Sequence, residues 1–587
     1  MSEEQVLAEL SIDNVRAHME HICRQIPSRL AGTENARRAA EFNRDALIRN
    51  GLDGYIEEMW GYISYPEPTL LEVLAPKSVA IEAFTASQCT PTLPDGISGE
   101  LVYLVSGAEH EYEGRDLAGK IVLTETSYHP ARYEKVRIAQ AKGVIGMVLM
   151  NWGGPDNTAV PFGSVKPAWG NPTRETLANE MARIPAIGIA RTTGLALKEM
   201  CENGTVRVRF RATTDNCWRK LALTVGELKA PGSDDFVILG GHQDSWYGEA
   251  ATDNAAGNAC FVELARVMAK HRDKLKRGLL CGFWTAHEIG TMVGSTWFAD
   301  THWERLRDHA CAYVQVDQPA IVGTTRWGAS SNIQLKTFHQ EIEKRLLTDR
   351  EFYWHQLVKG GDSSFLGLGV PMIYAMGHYT EEELKASALA RLGWWHHSIE
   401  CGLDKVDVAD LAVHLKVYGA YVWHLLTLPV LPYEFTSAAE QFVKRLEELK
   451  DPGKGVGLES ALKRAIAFRD TAKRFDAMTK DWQERYRRDP ALPMAAADRI
   501  NAAMKRVNQI IVPLASTAKG SYGHDPYGYT PQRSMIPLLY DIPEYGKLPE
   551  GEKRWILETE LLRARNRVMD GMTDARLVLE QVLSEKL

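Results

Sequence analysis

FVILGGHQDSWYGEAATDNAAGNACFVELARVMAK, residues 236–270, runs from an apolar strand through a polar turn into a helix. Phe236–Gly241 is an apolar and small-residue run of strand length, and Asn254–Lys270 has helical apolar spacing. Between them stand His242, Gln243, Asp244 and, eleven residues after His242, Asp253. The pattern recurs downstream. Leu279–Thr285 is predicted as a strand, Gly290–Ala299 as a helix and Ala312–Asp317 as a further strand. This alternation over about residues 221–432 predicts an α/β domain, its mostly parallel sheet covered by helices on both faces.

The flanks read differently. Residues 1–66 are predicted as helix and then strand, with Thr33-Glu34-Asn35 opening a helix that Gly51 closes. Residues 67–220 form a β-rich module. Short runs such as Leu101–Val105, Ile121–Thr124 and Val144–Met150 are separated there by Gly/Pro-rich loops such as GGPDNTAVPFGS at 153–164. Residues 433–587 are predicted helical at Ala438–Leu449, Ala461–Met478, Ala495–Val507 and Glu552–Leu583, with a Gly/Pro/Tyr-rich break near 520–546.

Composition excludes several classes. The 587 residues are 45% hydrophobic and 25% charged, values of a globular chain and not of a disordered or fibrous one. A net charge of −7 with both signs mixed gives no electrostatic reason to expect a nucleic-acid partner. MSEEQVLAEL at the start lacks the basic and apolar regions of a secretory signal, and stretches such as Val144–Met150 are too short to span a bilayer. Eight cysteines without a CxxC pair read as reduced thiols. The expectation is a cytoplasmic protein with no membrane partner.

Polar residues collect where strands end. His242 and Asp244 follow Phe236–Gly241, Asp253 opens a helix, His287-Glu288 follow Leu279–Thr285, Asp317 ends its own strand, and His396-His397 come much later. Ligands of parallel sheets gather outside the carboxyl ends of strands. Imidazole and carboxylate are the ligand types of zinc and related divalent metals. Two His, one Glu and two Asp suffice for two ions, with Asp253 between them. Each residue also has a plainer reading: a hydrogen-bonded structural His, Asp253 as a helix N-cap, His287-Glu288 as a surface pair. Five such residues in order favour the metal site.

GGHQDSW, TDNAAG, FWTAHEIGTMVGS, VQVDQ and HHS resemble the zinc aminopeptidase family that includes glutamate carboxypeptidase and the transferrin receptor. LAGTEN at 30–35 fits the family's start. GKIVL at 119–123 and IPAIGI at 184–189 resemble its protease-associated insert, and PLLYDIP at 537–543 its helical dimerisation domain. The resemblance implies a hydrolase of the aminopeptidase/carboxypeptidase kind, cleaving an amide or peptide bond of a small molecule or short peptide. It implies two divalent metal ions, Zn2+ in the family, and a homodimer through the C-terminal helical domain. Asp253 would bridge the ions, His242 and Asp317 completing one and Glu288 and His397 the other. Asp244 would orient the His242 imidazole from behind. The loop GGDSSF at 360–365 either brings Asp362 or Ser364 to the substrate or is a plain turn.

Three departures stand out. Active members carry two adjacent glutamates where this chain has His287-Glu288; the first takes the proton of the metal-activated water. His287 is therefore the general base, an added nitrogen ligand, or a mark of a weakened relative like the transferrin receptor branch. The intact ligand positions argue against the last. His396 stands where active members often have a tyrosine, and either donates to the developing oxyanion in its stead or caps the cluster. Thr530-Pro531 occupy the place of a substrate-gripping Lys-Tyr pair, with Arg533 as a possible substitute, so no C-terminal glutamate preference is assigned. The competing functions are a non-peptidase reaction with His287 as acid/base, such as amide deacylation or elimination, and a non-catalytic binding protein. Trp246, Trp284, Trp394 and Trp395 lie close to the ligands in sequence, as pocket wall or as core.

Overall fold

The computed structural model describes residues 2–585. Helices Glu3–Leu7, Ile12–Gln25 and Glu34–Arg49 precede a long strand, Asp53–Pro66. Thr33 caps the third helix, its hydroxyl accepting the Ala36 N–H that the first turn leaves free. Gly51 follows at φ +87°, a left-handed backbone that costs glycine nothing sterically.

The main sheet has eight strands in the order Asp53–Pro66, Thr214–Leu228, Gly278–Trp284, Phe236–His242, Ala310–Gln315, Met372–His378, Arg326–Ser331 and Phe352–Gln356. Its centre is parallel, from Gly278–Trp284 across to Met372–His378. Both flanks bring in antiparallel pairs, and the far edge is parallel again. The sheet is thus mixed, where the strand–helix rhythm predicted a mostly parallel one. The rhythm is a local signal and does not reach Asp53–Pro66 and Thr214–Leu228, which pair with each other antiparallel along fourteen positions and carry the insert between them.

That insert closes into a seven-stranded barrel running from Pro68–Ala75 to Val206–Phe210. Val206–Phe210 shows the period-two logic, burying Val206, Val208 and Phe210 and exposing Arg207 and Arg209. The barrel has its own core, including Val73, Ile121, Met147 and Ile187.

Beyond it, helices Phe435–Lys450, Glu459–Arg488, Met494–Ser516 and Glu552–Ser584 dominate. Their Leu446, Phe475, Met504 and Met572 lie in the same hydrophobic cluster as Ile238, Leu280 and Val314 of the sheet, so helices and sheet share one continuous core. The eight cysteines are free thiols. Among the described residues no helix is long and apolar enough to cross a membrane.

Candidate metal centre

The central strands end at one place. Phe236–His242 is buried along its whole length, and its glycines let neighbours close in: a Cβ on Gly241 would stand 2.5 Å from the Val316 carbonyl oxygen. His242 emerges at the strand end. Its Nδ1 lies 2.9 Å from the Asp244 carbonyl oxygen, which only accepts, so Nδ1 carries a proton and Nε2 is the nitrogen turned toward the carboxylates. Nε2 stands 3.0 Å from Asp253 Oδ1 and 3.5 Å from Asp317 Oδ1.

Asp253 lies in the turn Ala251–Ala255 ahead of helix Ala256–Lys270, two residues later than the predicted helix start. Its backbone is non-helical (φ −129°, ψ 76°), and no side chain caps the helix, so its carboxylate is not an N-cap. Its oxygens face two ways. Oδ1 meets His242, while Oδ2 stands 3.2 Å from His397 Nε2 and 3.3 Å from His396 Nδ1. Asn254 and Asn258 lash this turn to its neighbours. Asn254 donates to the Val316 carbonyl at 3.0 Å, and Asn258 donates to the His242 carbonyl at 3.0 Å.

Glu288 Oε2 accepts the Trp246 indole N–H at 2.8 Å and lies 3.2 Å from His397 Nε2. Asp244 departs from its expected role. Its carboxylate, 3.9 Å from His242 Nδ1, accepts the backbone N–H groups of His287 at 3.1 Å and Glu288 at 3.2 Å. Two residues past His242 the chain has turned back, so the main chain of Asp244 orients the ring and its side chain anchors the next loop. His397 holds a left-handed backbone, φ +55°, a strain of order 1 kcal/mol for a residue with a Cβ. Its carbonyl accepts the Phe162 N–H from the barrel insert at 2.6 Å.

His287 and His396, the two positions expected to depart from the pattern, each stack on a histidine of this cluster. His287 lies flat on His242, ring centroids 3.9 Å apart and planes within 18°, and its Nδ1 meets Asp362 Oδ2 at 2.9 Å. His396 lies on His397 at 3.8 Å and 27°, with Trp152 of the insert 5.6 Å behind it. Asp362 and Ser364 are buried and turned inward, with the Ser295 hydroxyl donating to Asp362 Oδ1 at 2.8 Å.

Electrostatics follow from this packing. Burial opposes charge on His242, but Asp317 and Asp253 outweigh it and lift its pKa well above the ordinary value. Burial pushes Asp253 up, yet its histidine neighbours, His242 and His397 foremost, hold it well below the usual carboxylate range. Burial and the neighbouring His397 hold His396 well below the ordinary imidazole value. Burial and His242 oppose charge on His287, but the Asp362 carboxylate lifts it to about 9. Burial raises Asp244 to about 6.

The donor set fits divalent cations. Glu288 Oε1, Asp317 Oδ1 and His396 Nδ1 are buried without a hydrogen-bond partner, an expensive state for polar atoms unless something else satisfies them. His242, Asp253 and Glu288 present donor atoms all within 4.8 Å of one another, as do Asp253, His396 and His397, and His242, His287 and Asp317. Imidazole nitrogen and carboxylate oxygen at this spacing suit zinc.

Some neighbours had no local sequence signal. Arg132, at the start of an insert helix, places Nη2 3.2 Å from His397 Nδ1 and 3.3 Å from the Tyr133 hydroxyl, while its Nε donates to the Ser164 carbonyl. Arg533, the candidate substitute for a substrate-gripping lysine, lies instead against His129 Nδ1 at 3.1 Å. Trp246 touches Glu288, whereas Trp284 donates to the Tyr313 hydroxyl inside the core. Beside Arg132 the wall is aromatic, Tyr133 from the insert and Tyr527 from the C-terminal loop with ring centroids 4.2 Å apart.

Residues 224–352 match the model of peptidase family M28, and residues 97–197 match that of the PA domain. A probable glutamate carboxypeptidase of Arabidopsis thaliana is 23% identical over 501 residues, covering 72% of this chain and 68% of its own. One of Arthroderma benhamiae is 23% identical over 524 residues, covering 72% and 71%. One of Zea mays is 28% identical over 283 residues, covering 43% of this chain and 38% of its own. In fold, the chain is similar to an aminopeptidase from Aneurinibacillus sp. strain AM-1 (TM-score 0.54, 19% identity, 72% of this chain and 96% of that one). It is likewise similar to a zinc aminopeptidase from Bacillus subtilis (TM-score 0.54, 18% identity, 71% and 96%).

Proposed function

We propose that this chain, which belongs to peptidase family M28 and carries a PA domain ahead of its central strands, is a metal-dependent hydrolase cleaving an amide or peptide bond of a small substrate. One observation carries the reading. Asp253 divides its two oxygens between His242 on one side and His397 on the other, the disposition of a bridging carboxylate. His242 and Asp317 would hold one ion, Glu288 and His397 a second. When bound, such ions polarise the scissile carbonyl and acidify water.

The chain's own residues move the proton. In its neutral form, with Nδ1–H on Asp362, His287 accepts it at Nε2 from the attacking water as the C–O bond forms, and returns it to the amine nitrogen as the C–N bond breaks. The stacked rings favour this role over ligation. Two imidazoles binding one ion aim their nitrogens at a common point, which rings lying face to face at 3.9 Å do not do. His396, held neutral by burial, is placed to donate an N–H to the developing oxyanion. Arg132 beside the cluster fits a substrate with a free carboxylate.

Metal analysis with a screen of small amides and dipeptides tests the function. Close to two zinc ions per chain are expected, with cleavage lost to a chelator and restored by zinc. A protein that neither holds nor takes up metal, or that cleaves unchanged under chelation, rules the proposal out. Arg132→Leu is expected to raise KM for dipeptides with a free carboxylate by about 10- to 100-fold, the worth of a charge-assisted hydrogen bond. Carboxyl-blocked analogues should not change; equal losses on both would remove Arg132 from substrate binding.

A further inference from the structure

We propose that Asp362 is the positioning residue for His287, and that an Asp–His pair stands where active relatives place a single glutamate. The inference rests on the hydrolase reading above and adds a residue to it. Asp362 has no solvent exposure, and its hydrogen-bond partners are an imidazole and a hydroxyl, with no Lys or Arg among them. Burial of a carboxylate on those terms is costly unless each hydrogen bond is well made.

The bonds around it run in one direction. Trp169 Nε1 of the insert donates to Ser364 Oγ at 3.0 Å. Ser364 and Ser295 hydroxyls meet at 2.9 Å, and Ser295 donates onward to Asp362 Oδ1 at 2.8 Å. With Ser295's proton on the carboxylate, the 2.9 Å contact between the two serines has Ser364 as its donor, in competition with Thr296 Oγ1 at 3.0 Å. The hydroxyl next to Asp362 thus donates to it, while Thr296 Oγ1, 3.0 Å from Ser364 Oγ, donates to the Met292 carbonyl. A merely structural carboxylate, tying loop 360–365 to helix Val293–Thr301, needs only Oδ1. Oδ2 is given to His287 Nδ1.

The consequence for His287 is definite. An acceptor at Nδ1 fixes the neutral ring's proton there, leaves Nε2 as the nitrogen that can take a proton, and stops the ring from flipping. The pairing is matched to histidine. A glutamate at 287 would bring a second negative charge against Asp362, an arrangement in which like charges oppose ionisation.

That mismatch supplies the test. Asp362→Asn is compared in two backgrounds, the native chain and His287→Glu, by steady-state hydrolysis of whichever small amide the native protein cleaves. In the native background kcat is expected to fall about 10²- to 10⁴-fold, with KM and zinc content within about twofold. In the His287→Glu background the same change should leave kcat equal or higher. Equal losses in both backgrounds, or a loss of zinc in Asp362→Asn, would make Asp362 a structural or metal-supporting residue and overturn the proposal. A second readout needs no activity. Metal-free protein with ¹⁵N-labelled histidine should show a strongly hydrogen-bonded Nδ1–H proton absent from both His287→Glu and Asp362→Asn; its persistence in Asp362→Asn overturns the pairing. Should Asp362→Asn not fold, Ser295→Ala is read in its place, with the same resonance shifted and kcat lowered about 3- to 10-fold for the loss of one hydrogen bond of roughly 1 kcal/mol; an unshifted resonance overturns the pairing. Native protein that cleaves no amide fails the hydrolase reading, while the resonance still decides the pair.

Discussion

Asp253→Ala is expected to leave a folded chain that holds neither metal ion. The side chain gives Oδ1 to the His242 side of the cluster and Oδ2 to the His397 side, so one substitution would remove a donor from both proposed sets. His242 with Asp317, and Glu288 with His397, would remain as pairs, too few for the three or four protein ligands zinc takes. Zinc per chain should fall from near two to well below one, and kcat/KM by about 10⁴-fold or more, roughly 5.5 kcal/mol of transition-state stabilisation. Stability separates this from misfolding. The rise in Tm that zinc gives the native chain by binding the folded state should vanish in the variant. The metal-free proteins should melt within a few degrees of each other, because the cost of burying Asp253 and its contacts with His242 and His397 are lost together. A variant that retains two ions and cleaves substrate would end the bridging assignment.

His287→Ala is expected to lower kcat by about 10²- to 10⁴-fold, the usual worth of a positioned proton acceptor, while zinc content stays as in the native chain. The contrast with Asp253→Ala lies in the metal. A residue that moves a proton can be removed without loosening the ions, whereas a ligand cannot. If zinc affinity drops tenfold or more, His287 belongs among the ligands. His287→Glu asks what the reaction is. A gain in peptide hydrolysis over the native chain would mean that histidine was placed there for a different amide or a different bond cleavage.

Local pattern carried much of this site. Phe236–His242, Gly278–Trp284 and Ala310–Gln315 were readable because a short apolar run broken by His, Glu or Asp needs no distant partner to be recognised. Boundaries shifted by a few residues where the chain kinks, as at Asp253, whose polar turn delays the helix to Ala256. The mixed sheet was not readable, since Asp53–Pro66 and Thr214–Leu228 find each other across the whole insert. Nor was the role of Asp244, whose carbonyl and carboxylate exchange expected tasks once the strand end turns.

Residue types and their order along the chain therefore pointed to a class of chemistry, through imidazoles and carboxylates at the ends of apolar strands. Folding alone decided which oxygen of Asp253 faces which imidazole. It also brought Asp362 to His287 across 75 residues and Arg132 to His397 across 265. Covalent neighbours impose periodicity, which a string of letters displays. Hydrogen-bond partners are chosen by proximity after the core has closed, and nothing in either segment's local sequence records the other.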